Sequence, residues 1–140
     1  MRDVVLRLLV IAAVAAVVLG ARPLLKAWLK ARMRQALTAA PLPGFATGRP
    51  LVLLFTGALC SDCIRQKDVL RGLDSAANQV AVEEVLAAKA PHLTRRFALQ
   101  SVPATVILDG RGRPQAVNYG FVDAATLRRQ LRAAAGAASA

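Results

Sequence analysis

The chain opens on an apolar run, "LLVIAAVAAVVLGA" over residues 8–21, which carries no charge. Fourteen residues are short for a membrane span and within the range of a signal-peptide core. Counting from Val4 gives eighteen residues, with Arg7 near one end, where its long stem can snorkel to the interface. A cleavage site is poor, because Leu19 stands where a small residue is wanted and Arg22-Pro23 would begin the mature chain. The pattern favours an uncleaved signal or single-pass transmembrane anchor over residues 1–21, rather than a cleaved leader. The period then changes. In "RPLLKAWLKARMRQAL", Arg22, Lys26, Lys30 and Arg34 recur every four residues, and Leu25, Leu29, Met33 and Leu37 do so on another face beside Trp28. This predicts an amphipathic basic helix that either lies on a membrane surface or packs on the domain behind it. The Pro/Gly-rich "AAPLPGFATGRP", residues 39–50, reads as a linker, so residues 22–50 form one connecting segment.

From residue 51 the pattern is that of a folded domain. "PLVLLFT" is a short apolar run suited to a strand buried on both faces. "SDCIRQKDVLRGL" places Ile64, Val69, Leu70 and Leu73 at spacings compatible with a helix, and residues 79–85, "QVAVEEV", read as a second strand. Pro91 opens a short helix through Phe97. "ATVILD" and "PQAVNYG" flank "GRGR", a hairpin signal, and "DAATLRRQLRAAA" begins with an Asp cap. The order β-α-β-α-β-β-α predicts an α/β domain over residues 51–135, with one central mixed sheet flanked by helices. Residues 136–140 read as a fraying tail.

Charge refines this picture. The net charge is +11, and residues 1–34 hold seven Lys/Arg against Asp3, a net of +6 on either side of the most apolar segment. That placement suits anionic lipid headgroups. Nucleic-acid binding would need a basic stripe on the domain with bases to stack or read, and Arg128, Arg129 and Arg132 look instead like a solvated helix face. No nucleic-acid partner is expected.

The only two cysteines, Cys60 and Cys63, lie two residues apart in "FTGALCSDCIRQK". Such a pair can be a redox dithiol, half of a metal site, or two small core residues. A zinc site would need two further ligands; His92 is the only histidine, and Asp62 is too close in the chain to complete a tetrahedron. No metal and no separate cofactor is expected.

A CxxC between the first strand and first helix, "SVPAT" leading into the third strand, and Gly120 before the last helix together resemble the thioredoxin family over about residues 50–135. The resemblance implies a thioredoxin-like fold behind an N-terminal membrane-anchor helix. It implies Cys60 as nucleophile and Cys63 as resolving cysteine, the two forming a redox-active disulfide. A helix starting near Cys60 would point unpaired N–H groups at its sulfur and favour the thiolate. Pro103 would be cis and, with Val102, would form the loop that meets the substrate; Ser61 and Asp62 would modulate the dithiol. Departures from the family pattern are Leu59 for the usual Trp, Ser61-Asp62 for Gly-Pro, and Leu54 for the buried acid, whose lysine partner falls at Glu84. Asp62 would oppose thiolate formation, with Arg65 and Lys67 as offsetting cations.

These readings predict a membrane-tethered thiol–disulfide oxidoreductase working on protein thiols and disulfides. A membrane-bound or soluble electron donor would regenerate it, and lipid would be its other partner. The alternative is a scaffold of the same fold whose dithiol has no redox role. Five Lys/Arg after the span against two before it favour a cytoplasmic domain. Family analogy favours the outer side, and the reading leans that way.

Overall fold

The computed structural model describes residues 2–38, 40–74 and 80–139. Met1, Ala39, Gln79 and Ala140, which the sequence reading assigns to the anchor, linker, second strand and tail, lie outside them. The chain divides into two compact units, residues 1–34 and residues 35–140.

The first unit is helical. Helix α1, Arg2–Leu37, starts in it and runs through Pro23 without a break. The separate basic helix expected from residue 22 is therefore a continuation of the apolar one. Pro23 follows Gly20, Ala21 and Arg22, yet the helix does not end there. The stretch from Val5 is long and apolar enough to cross a membrane, and its Leu, Val and Ile side chains are exposed.

The second unit is three-layered. Its sheet has the order β2-β1-β3-β4, with β1 at Leu51–Thr56, β2 at Ala81–Leu86, β3 at Ala104–Leu108 and β4 at Pro114–Tyr119. β1 runs parallel to β2 and antiparallel to β3, and β3 is antiparallel to β4. All residues of β1 and β3 are buried, which explains why these two strands read as continuous apolar runs. On one face, Val52, Leu54 and Ile107 pack with Leu70 and Leu73 of α2, Ser61–Asp74, and with Leu127, Leu131 and Ala134 of α4, Ala124–Ser139. On the other, Leu53, Phe55 and Val106 meet Leu93 of α3, Pro91–Arg96, together with Phe97, Leu42 and Ala36. The Phe55 and Phe97 rings meet edge-on, centroids 6.3 Å apart.

Two boundaries differ from the sequence reading. The expected linker belongs to the folded unit: Leu42 is buried, its N–H donates to Gly112 O at 2.9 Å, and Gly48 N–H donates to Gly110 O at 2.9 Å. The β3–β4 turn accepts this segment because Gly112, at φ +75°, has no side chain; a Cβ there would lie 2.4 Å from Leu42 O. Asp109 braces the same turn, its Oδ1 accepting the N–H groups of Arg111 and Arg113. At the C-terminus α4 continues through Ser139, where a tail from residue 136 was expected, since its Ala-rich end has high helix propensity. Its start is as read: both oxygens of Asp123 accept from Thr126, and the Thr126 backbone N–H holds the Asp123 carboxyl below its usual range.

Polar contacts fix α2. Gln66, fully buried, donates from Nε2 to Val122 O at 3.0 Å and accepts the Val122 N–H at 2.7 Å. Glu84 Oε1 on β2 receives Thr56 Oγ1–H at 2.8 Å and pairs with Lys67 Nζ at 2.7 Å. Lys67 thus binds Glu84, whereas the sequence reading had it offset Asp62. The Lys67 ammonium, and after it the Thr56 hydroxyl, hold the Glu84 carboxyl below its usual pKa.

Two outcomes follow. Gln66→Leu leaves a buried N–H and C=O of Val122 without these partners and is expected to cost about 2–4 kcal/mol in urea unfolding. For Glu84, a lowered folded-state pKa gives stability that is present above the unfolded-state value and lost as pH falls through the folded one. Lys67→Met is therefore expected to be less stable than wild type near neutrality, by at most about 1 kcal/mol for this half-exposed pair. The gap should close in acid, as compared by urea midpoints at both pH values; a gap that persists once Glu84 is protonated would contradict the assignment.

Candidate dithiol site

β1 ends at Thr56, and Gly57, Ala58 and Leu59 carry the chain to Cys60, immediately before α2. Cys60 therefore takes the position where a helix leaves its first N–H groups without helical partners. Its Sγ accepts the Cys63 backbone N–H at 3.1 Å, the bond that a capping oxygen makes at other helix starts. Cys60 and Cys63 are joined as a disulfide, with Cα atoms 5.2 Å apart. Their environments differ: Cys60 is partly exposed, whereas Cys63, one turn into α2, is 3% exposed.

The other sequence-derived residues lie around this pair. Phe55 pairs with Ala104 across β1 and β3, so Pro103 continues the register beside Thr56, and Val102 beside Gly57. The Val102–Pro103 peptide bond is cis. Pro103 is buried, Val102 partly so, and a Cβ on Gly57 would lie only 2.9 Å from Val102 Cγ2. Gly57 is thus what lets the Val102 loop close onto the approach to Cys60. Gly120 N–H donates to Pro103 O at 2.9 Å and ties the turn after β4 to the same loop. Ser61 and Asp62 are both exposed in the first turn of α2. Asp62 Oδ1 accepts from Arg65 Nη1 at 3.1 Å, which partly neutralises the acid beside the dithiol.

Sequence reasoning missed three features. Phe121, 41% exposed, lies under the Arg65 guanidinium, 4.7 Å from ring centroid to Cζ, and so belongs to the site. Gln66 looks like a polar helix residue in sequence, and only its 56-residue link to Val122 gives it a purpose. Leu59 has φ +54°, a left-handed conformation unusual for leucine, and no local pattern announces it. Leu54 is buried against the α2–α4 face, and the carboxylate of this region is Glu84, its register partner on β2. His92 is exposed on α3.

The chain was compared with known proteins. No family model and no curated protein matches it. Solved structures do. Reduced desulfothioredoxin from Desulfovibrio vulgaris Hildenborough matches with a TM-score of 0.57 and 26% identity, covering 69% of this chain and 90% of its own. A thioredoxin-2 described as a component of malaria parasite protein secretion machinery matches at 0.54 and 22%, covering 61% of this chain and 82% of its own. A point-mutant thioredoxin from Halobacterium salinarum matches at 0.57 and 16%, covering 65% of this chain and 80% of its own. With a mixed sheet, a CxxC disulfide at the start of α2 and these neighbours, the folded unit is thioredoxin-like.

Proposed function

We propose that the chain is a membrane-tethered thiol–disulfide oxidoreductase that exchanges disulfides with protein partners through Cys60 and Cys63. The observation that carries this reading is the Cys63 N–H donated to Cys60 Sγ at the open start of α2. In the reduced protein the same donor, the other first-turn N–H groups and the helix dipole favour a Cys60 thiolate. That thiolate attacks one sulfur of a partner disulfide, forming an S–S bond to Cys60 and expelling the partner's other sulfur as a thiolate, which takes a proton. The Cys63 thiol then loses its proton and attacks Cys60 Sγ. This forms the Cys60–Cys63 disulfide and releases the partner's second thiol. Two electrons pass from the dithiol to the partner, and a dithiol donor restores the pair. Each step is reversible, so the compartment and its donor set the net direction.

Val102 and Pro103 form the loop that meets the partner chain in this reading, and Asp62, paired with Arg65, tempers the Cys60 thiolate. The tether is supported by the length and apolarity of α1 and by the basic residues that follow residue 21. The catalytic domain is assigned to the extracytoplasmic side by analogy with tethered relatives.

Cys63→Ser is expected to leave the first attack intact and block release, so mixed disulfides accumulate on a non-reducing gel and collapse on added reductant. Cys60→Ser should trap nothing. Equal trapping by both would show that the helix start does not distinguish the sulfurs, and no trapping by either would favour a scaffold. Full-length protein should sediment with membranes and dissolve only in detergent. An impermeant maleimide applied to intact cells after mild reduction should label Cys60; labelling only after lysis would place the domain in the cytoplasm.

A further inference from the structure

We infer that the folded unit rests on anionic lipid headgroups through Arg49, Arg111 and Arg113, at the end of the sheet opposite the dithiol. The inference rests on the tether reading above and names the surface of the folded unit that meets the bilayer. Cys60 and the Val102–Pro103 loop lie at the carboxyl end of β1. At the other end, Leu51 pairs with Leu108 and Leu108 with Pro114, so the β3–β4 turn and the segment before β1 meet there. The chain that leaves the anchor enters the unit near this end. Ala36 is buried in the core, and Arg113 lines one surface depression with Leu37, Thr38 and Pro41.

Close backbone approach gathers the arginines. Leu42 N–H donates to Gly112 O and Gly48 N–H to Gly110 O, which lays Arg49 alongside the turn that carries Arg111 and Arg113. A Cβ on Gly110 would stand only 3.0 Å from Arg49 N. All three arginines are exposed, and none is in an ion pair among the described residues. The turn's one carboxylate, Asp109, is 2% exposed and accepts from the Arg111 and Arg113 N–H groups and from Gln115 Nε2. Residues 22–50 contain no Asp or Glu at all. The cluster is therefore a net positive surface, and phosphate is an anion that the guanidinium fork fits.

The tether selects the source of that phosphate. Trp28, whose ring suits the headgroup level, is seven residues before Gln35, where the folded unit begins. Those residues span at most about 25 Å of chain. A bilayer surface is thus held within reach, whereas a soluble anion has to be collected from dilute solution. An anionic leaflet is expected to favour docking about fivefold for each arginine at its surface. The six residues of β1 separate the two ends of the sheet by about 20 Å, so docking turns Cys60 away from the lipid and toward partners in the aqueous phase.

The test places full-length protein in nanodiscs of phosphatidylcholine, alone or mixed with phosphatidylglycerol. Phenylglyoxal modifies the arginines, and peptide mass spectrometry gives the rate at each one. Arg49, Arg111 and Arg113 are expected to react about fivefold or more slowly in the anionic discs, and high salt should restore their rates. Arg65 and Arg128, on the first turns of α2 and α4 away from this end, should change less than about twofold. Replacing the turn arginines together, Arg111→Gln with Arg113→Gln, should return Arg49 to its rate in phosphatidylcholine, whereas the paired lysine substitutions should keep it shielded. Equal rates in the two discs, or equal slowing of Arg65 and Arg128, would overturn the inference. Shielding produced in phosphatidylcholine discs by added inorganic phosphate would also overturn it, by assigning the cluster to a soluble anion. Protein that enters neither disc would remove the tether reading and this inference with it; entry without shielding removes the inference alone.

Discussion

The buried amide of Gln66 is the contact on which the site depends. Burying an amide without partners costs more than the bond itself returns, so α2 can dock on the sheet only where Val122 offers both its N–H and its C=O. That requirement fixes the rotation of α2 about its axis and places the segment before α4 at a set height along it. Cys63, three residues earlier, is then turned inward, and Phe121, next to Val122, is brought to the first turn under Arg65. Apolar packing of Leu70 and Leu73 alone would hold the helix on the sheet while leaving it room to slide. The two directed bonds remove that freedom, and the arrangement with Cys60 partly exposed and Cys63 turned inward follows from it.

Much of the fold was legible because its strongest signals are local. β1 and β3 are buried on both faces and so appear as bare apolar runs; the Asp123 cap and the glycine hairpin turn are short-range devices. The cysteine pair was legible for the same reason, since a helix start reads only a few residues. What escaped is long-range or conformational. Gln66 finds Val122 across 56 residues, and Lys67 leaves Asp62 for Glu84 on another strand. Residues 42–48 look like a linker by composition, yet they dock because a turn more than sixty residues later lacks a side chain at Gly112. Leu59 shows the limit most sharply, for nothing in "GALC" gives its φ or its exposure.

The sheet explains why the cysteine pair sits at one end of the folded unit. After β1 the chain crosses through α2 to β2 on one side, then returns to β3 on the other, so β1 is where the connections part. In open α/β sheets the carboxyl end of such a strand faces a crevice that neither crossover fills. Here that end delivers Gly57 to Cys60, and the antiparallel neighbour β3 is entered beside it through Val102 and Pro103. The dithiol and the loop facing it are therefore brought together by register, before any side-chain contact is considered.

The two sheet edges carry this argument to the choice of partner surface. β4 starts at Pro114, which has no N–H to donate, and its pairing with β3 is irregular at Ile107/Leu108, features that discourage strand addition. β2 has neither device; its exposed middle carries Glu83 and Glu84 instead. An antiparallel pairing of β2 with a second copy of itself, centred on these residues, would set glutamates opposite one another on both faces of the new ladder, which is unfavourable. Neither edge thus invites an indiscriminate strand.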